Sequence, residues 1–135
     1  MTIKSRIRTI PNFPKEGIMF RDISTLLSDP KGLQIVVKSL QERYQNRNDI
    51  DLVVGVEARG FIFGSLLAYA LNKGFIMIRK PGKLPGHTIT QEYQLEYGID
   101  AMEIHSDAFA PDTKILLADD LIATGGTIMA AVALI

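Results

Sequence analysis

Apolar and polar positions recur along the chain with two different periods, and the changes of period mark out the elements. Ser28-Asp29-Pro30 sets capping side chains beside a proline suited to a first helical position. Leu33, Val36, Val37, Leu40 and Tyr44 then return at helical spacing, which predicts an amphipathic helix of about four turns. It decays into the polar run Gln45-Asn46-Arg47-Asn48-Asp49. Asp51 to Val56 is short, β-branched and apolar on both faces, the pattern of a buried parallel strand. Gly60 to Leu71 is long and apolar enough for a helix, and Phe75 to Ile78 reads as a second buried strand ending at Arg79-Lys80. KPGKLPGHTITQ, Lys80 to Gln91, carries two prolines, two glycines and two lysines and reads as a mobile loop of functional length. Tyr93 to Tyr97 and Ala101 to Ile104 alternate like a partly exposed antiparallel pair with Gly98 near its turn. Lys114 to Ala118 is the last apolar strand, also read as buried, and a helical run resumes from Gly125.

Strand, helix, strand, loop, strand, helix predicts an α/β fold with a mainly parallel sheet flanked by helices. Ligands in such sheets bind at the carboxyl ends of strands. Two polar loops fall there, Glu57-Ala58-Arg59-Gly60 and Asp119 to Thr127. The chain holds no internal repeat or low-complexity tract, and its 135 residues suit one domain with a real core. Within it, residues 1–48 form an N-terminal region with the first helix, and 49–135 form the α/β core.

Composition narrows the partners. Fifteen basic residues balance fifteen acidic ones, so no excess of positive charge points to a nucleic acid, and any phosphate recognition must be local. The chain has no cysteine, which removes disulfides, zinc-thiolate sites and thiol nucleophiles and suits a reducing cytosol. The start, MTIKSRIRTIPNFP, lacks the apolar segment of a signal peptide, and no apolar run approaches the roughly 20 residues of a membrane span. The expected location is the cytoplasm, with no membrane partner.

The glycine-rich loops need separating. Gly55 and Gly60 have P-loop spacing, but Phe61 and Ile62 stand where lysine and a hydroxyl residue belong, and no G-x-G-x-x-G occurs. His87 and His105 stand apart from any second metal-like ligand and read as ordinary loop or surface histidines. In ATGGT, Ala123 to Thr127, the glycines let amides turn inward, the threonines add hydroxyls, and a helix start follows. That suits a phosphate monoester, with a plain strand-to-helix turn as the rival. Asp119 and Asp120 end an apolar strand, where bare carboxylates are costly to desolvate, so sugar hydroxyls or a cation are the expected company. A phosphate cradle a few residues from two hydroxyl-accepting acids describes a ribose 5-phosphate site; magnesium binding and solvation are the competing readings of the acids.

ILLADDLIATGGT, residues 115–127, resembles the phosphoribosyl-pyrophosphate loop of the type I phosphoribosyltransferases. Phe13-Pro14, Gly17, Phe20-Arg21-Asp22-Ile23, Glu57-Ala58-Arg59-Gly60-Phe61, Arg79-Lys80-Pro81-Gly82-Lys83-Leu84-Pro85-Gly86 and Leu95-Glu96-Tyr97-Gly98 are similar to the adenine phosphoribosyltransferase branch. The resemblance runs from about residue 3 to the end. It implies transfer of ribose 5-phosphate from phosphoribosyl pyrophosphate to adenine, giving AMP and pyrophosphate, with Mg2+ carried by the diphosphate and no metal ligand assigned in the chain. It gives the 5-phosphate to Ala123, Thr124, Gly125, Gly126 and Thr127 and the ribose hydroxyls to Asp119 and Asp120. Arg59, aided by Arg79 and Lys83, would meet the leaving diphosphate. The base would lie against Phe20 and Leu121, read partly by backbone at Arg21. Glu96 matches the acid or base near the adenine imidazole, with Tyr97 beside it, and the family's members are commonly homodimers.

Chemistry supports these assignments independently. Breaking the bond at ribose C1 puts positive charge on the sugar and negative charge on pyrophosphate, so fixed cations at the leaving group stabilise the transition state. The sugar cation would react with water, which gives the 80–91 loop a role as a lid. A carboxylate such as Glu96 would assist a weakly nucleophilic purine. Arg59 could instead cap the next helix, Phe20 could be core, Arg79, Lys80 and Lys83 could be a solvated face, and Glu96 could point outward. The family pattern continues past residue 135 with further strands, so the last strands of the sheet are expected to be missing and the strand ending at Asp119 to present an unpaired edge. The alternative to an enzyme is a noncatalytic truncated paralogue or nucleotide-sensing regulator on the same fold.

Overall fold

The computed structural model describes residues 3–95, 98–119 and 126–135. They form two compact units, divided between Asn46 and Arg47.

The N-terminal unit opens with one turn of 3-10 helix at Lys4–Arg6, followed by β1 (Arg8–Pro11) and β2 (Met19–Asp22), which pair antiparallel with Arg8 opposite Asp22. Asp22 is buried, and its carboxylate holds the next element: it accepts from the Ser24 amide at 3.0 Å and the Ser24 hydroxyl at 2.7 Å, and it pairs with Arg8. These contacts keep its pKa at about 2, with the Ser24 side-chain hydrogen bond the largest cause. The short α1 (Ser24–Leu27) buries Leu26. Then comes α2 (Pro30–Tyr44), capped as its sequence predicts: Asp29 accepts from the Lys31 amide and Pro30 takes the first helical position.

The second unit is built on a parallel sheet of β3 (Leu52–Val56), β4 (Gly74–Ile78) and β7 (Ile115–Ala118), in the order β4-β3-β7. Among the described residues β3 alone has a strand on each side in this sheet, and Val53 to Val56 are all buried. The expectation that the other two strands are equally buried is corrected: β7 is half-buried throughout, and in β4 only Ile78 is fully enclosed. Among the described residues both lie on the outside of the three-stranded sheet.

Successive side chains of β3 point to opposite faces. On one face α3 (Arg59–Leu71) lies close enough that Gly55 and Gly64 leave no room for side chains; a Cβ on either would come within 2.7 Å of the Phe75 ring. The other face supplies Val54, Val56 and Ile78 to a core completed by Met102, Ile104, Ala130 and Ala131. Those last four come from an antiparallel hairpin, β5 (Thr88–Leu95) with β6 (Gly98–His105), and from α4 (Gly126–Leu134).

The hairpin corrects a boundary. Thr88 to Gln91, expected in the mobile loop, are the first half of β5 and pair with His105 to Met102. Prolines and glycines occupy 81–86 alone, and Thr88-Ile89-Thr90 is a β-branched run that pairs readily. An antiparallel bridge between Arg79 and Glu103 ties the end of β4 to β6. No helix among the described residues is long and apolar enough to cross a membrane.

Candidate active site

The carboxyl ends of β3, β4 and β7 bring chemistry together in the second unit. The peptide between Glu57 and Ala58 is cis, and α3 begins at Arg59 with no side-chain cap and no acid in its first turn. Its leading amides are the positive end of a 13-residue helix, which favours an anion. Gly60 holds this turn against the end of β7: a Cβ there would stand 2.9 Å from the Ala118 carbonyl oxygen and 3.3 Å from the Asp119 Cα. The two loops singled out by sequence therefore meet, with Arg59 and Asp119 on chain segments in contact, and each side chain half-buried.

Arg79 and Lys83 arrive from the segment after β4. Both rest on Glu57: Arg79 Nε donates to Oε1 at 2.9 Å and Lys83 Nζ to Oε2 at 2.6 Å, and the Lys80 amide adds a contact to Oε1 at 3.3 Å. Burial raises the Glu57 pKa, but these donors, led by Lys83 and then Arg79, outweigh it, and the carboxyl sits below its ordinary 4.5. The Arg79 guanidinium also lies 5.9 Å from the centre of the Phe61 ring, which meets Phe75 edge-on. Phe61, the residue that spoils the P-loop pattern, is thus a floor for a cation. Glu57 escaped the sequence reading as a site residue, although an acid at the end of a buried strand is the same signal that drew attention to Asp119.

The segment beyond is fastened to the hairpin. Glu103 accepts from the Gly82 amide at 2.7 Å and from the Thr88 and Thr90 hydroxyls at 2.5 and 3.1 Å. Lys80 pairs with Asp100, which also accepts from the Tyr93 hydroxyl at 3.3 Å. The Asp100 hydrogen bond is the main reason that the Lys80 pKa is raised, and the Lys80 hydrogen bond the main reason that the Asp100 pKa is lowered. His105 meets the Pro85 carbonyl through Nε2 at 2.8 Å, an ordinary structural contact of the kind expected for it.

In the N-terminal unit, Phe20 is half-buried, with Phe13 packed edge-on at 5.1 Å, and the Arg21 side chain donates to the Thr9 hydroxyl. A cavity of about 330 Å³ in this unit is lined by Ser5, Arg6, Ile7, Arg8, Thr25 and Asp29, none of them a predicted site residue. Glu96, Tyr97, Asp120, Leu121, Ala123, Thr124 and Gly125 lie outside the described residues. Gly126 and Thr127 start α4. Among the described residues no group of three or more His, Asp or Glu is placed to hold a metal ion.

A strand-end site of this kind, with a helix start and clustered cations, suits a phosphorylated ligand. The phosphoribosyl transferase domain model matches residues 22–135, and the chain belongs to that family. Its relatives carry the more particular description. The adenine phosphoribosyltransferase of Chlorobium phaeovibrioides is 62% identical over 136 aligned residues, covering all of this chain and 77% of the relative. The crystal structure of adenine phosphoribosyltransferase from Thermoanaerobacter pseudethanolicus superposes with a TM-score of 0.92 at 49% identity, over 98% of this chain and 76% of that one. That of the Saccharomyces cerevisiae enzyme, complexed with an imino-altritol bisphosphate and adenine, gives 0.91 at 40% identity, over 98% and 77%.

Proposed function

We propose that the chain transfers the 5-phosphoribosyl group of phosphoribosyl pyrophosphate to adenine, producing AMP and pyrophosphate in purine salvage. The observation that carries this reading is the contact, through Gly60, of the Arg59 turn with the chain at Asp119, beside the Arg79 and Lys83 cations. A sugar gripped at Asp119 would have its C1 diphosphate directed at fixed positive charge. Relatives named as adenine phosphoribosyltransferases support the choice of base, and they do not favour a noncatalytic regulator.

The roles follow from charge. As the C1–oxygen bond breaks, Arg59, Arg79, Lys83 and the uncapped amides of α3 stabilise the departing pyrophosphate more than they stabilise bound substrate. Asp119 and Asp120 take the ribose hydroxyls, and Ala123 to Thr127 the 5-phosphate. Phe20, Arg21 and Leu121 are the residues that the family resemblance assigns to adenine, and Glu96, with Tyr97, the residues it assigns to the proton of the adenine imidazole. Mg2+ commonly binds through one or two carboxylates plus substrate phosphates. That habit suits an ion delivered on the diphosphate. The working form is proposed to be a cytoplasmic homodimer; the lack of cysteine is compatible with that compartment.

Pyrophosphate release measured with a panel of bases tests this. Adenine is expected to support turnover well above hypoxanthine, guanine or orotate. Equal or reversed rates would defeat the assignment of the base.

A further inference from the structure

Glu57 places a carboxylate directly after β3. Its amide donates to the Ile78 carbonyl at 3.0 Å, which joins the ends of β3 and β4 without the side chain. Its side chain is nonetheless only 12% exposed and has both oxygens engaged by the segment 79–83. The donors differ in how firmly they are held. Arg79 and the Lys80 amide directly continue β4, and Arg79 is 31% exposed and braced on Phe61. Lys83 is 48% exposed and reaches Glu57 from the loop. The backbone around Lys83 is fixed without it, by the Gly82 amide on Glu103, the buried Leu84 and the Pro85 carbonyl on His105. Its ammonium can therefore change partner while the loop stays where it is.

We propose that the Glu57 carboxylate stands in for a pyrophosphate oxyanion: it holds Lys83 beside the site and competes with the diphosphate for that cation. The inference rests on reading Arg79 and Lys83 as the leaving-group cations. Glu57 acts through Lys83 and is a positioning residue. Its competition weakens the grip on pyrophosphate and helps the product to leave, while keeping Arg79 and Lys83 from pairing elsewhere.

Titration of the full chain with magnesium pyrophosphate, and separately with AMP, provides the test. Glu57→Gln keeps an oxygen for Arg79 and the Lys80 amide but removes the charge facing Lys83. It is expected to bind pyrophosphate about fivefold more tightly, the scale of one partly exposed charge pair, with AMP affinity unchanged. Loss of general integrity would weaken both ligands instead. Lys83→Met is expected to cost more pyrophosphate affinity in the Glu57→Gln background than alone. Should Glu57→Gln fail to fold, Glu57→Asp, which withdraws the carboxylate by one methylene, is expected to tighten pyrophosphate in the same direction by a smaller factor. Equal or weaker pyrophosphate binding by the folded variant overturns the inference while leaving the site reading intact. If the unaltered, folded chain binds AMP but no pyrophosphate, the reading of the cations falls and this inference falls with it.

Discussion

The parallel sheet and the β5–β6 hairpin sit in the same unit but are held by opposite means. In the sheet, β3 is enclosed on both faces, and α3 approaches so closely that Gly55 and Gly64 have no space for a methyl group beside Phe75. The hairpin gives Met102 and Ile104 to the core, but it is secured to segment 79–87 by charge and hydrogen bonds at Asp100, Glu103 and His105. Dense apolar packing has no slack, so it fixes where strand ends lie. Polar contacts can be exchanged for others of similar energy. The proposed chemistry lies where the two styles meet, with Arg59 set by packing and Lys83 held by an exchangeable partner.

The largest effect should come from the packed side. In Gly60→Ala the new methyl must push the Arg59 turn away from Ala118 and Asp119. Turnover with adenine is expected to fall roughly 100-fold, as for a displacement of about an ångström at a reacting centre, and kcat/KM measures it. A fall of less than a few-fold would mean that the two strand ends need not meet. Next, Ile78→Ala, which empties a fully buried position, should cost about 3 kcal/mol of stability in a denaturant titration.

Smaller, more local effects belong to the hairpin. Glu103→Gln should quicken hydrogen exchange at the Gly82 amide a few-fold while leaving β3 amides protected. Uniformly faster exchange would show that hairpin and sheet open as one. Acid should separate them in the same way. Glu103 and Asp100 have folded pKa values below their ordinary 4.5 and 3.8, Glu103 chiefly through Thr88 and Asp100 chiefly through Lys80. A carboxylate whose pKa is depressed by folding contributes stability above its unfolded pKa and loses it as pH falls through the folded value. Hairpin resonances should therefore change below about pH 4.5 before those of Val53 and Val54 do.

The same contrast explains what could be read from sequence. Val53 to Val56 and the α2 cap at Asp29-Pro30 were legible because apolar period and capping chemistry are local. Thr88 to Gln91 were hidden by the prolines and glycines just before them, since their pairing depends on Met102 to His105. The β1–β2 hairpin gave no clear signal because Arg8-Thr9-Ile10-Pro11 is mostly exposed and lacks an apolar face. Arg59, Arg79 and Lys83 were singled out by their motifs. The shared contact of Arg79 and Lys83 with Glu57 was not, because it joins positions 22 and 26 residues apart.

The central claim is that the ends of β3 and β7 form one site for phosphoribosyl pyrophosphate. An amide-resolved NMR titration of the folded chain with magnesium phosphoribosyl pyrophosphate tests it directly. The account predicts saturable shifts at Arg59, Gly60, Lys83 and Asp119 together, with the α2 amides from Leu33 to Tyr44 unmoved. Saturating ligand that leaves those four unchanged, or moves only one strand end, would contradict it.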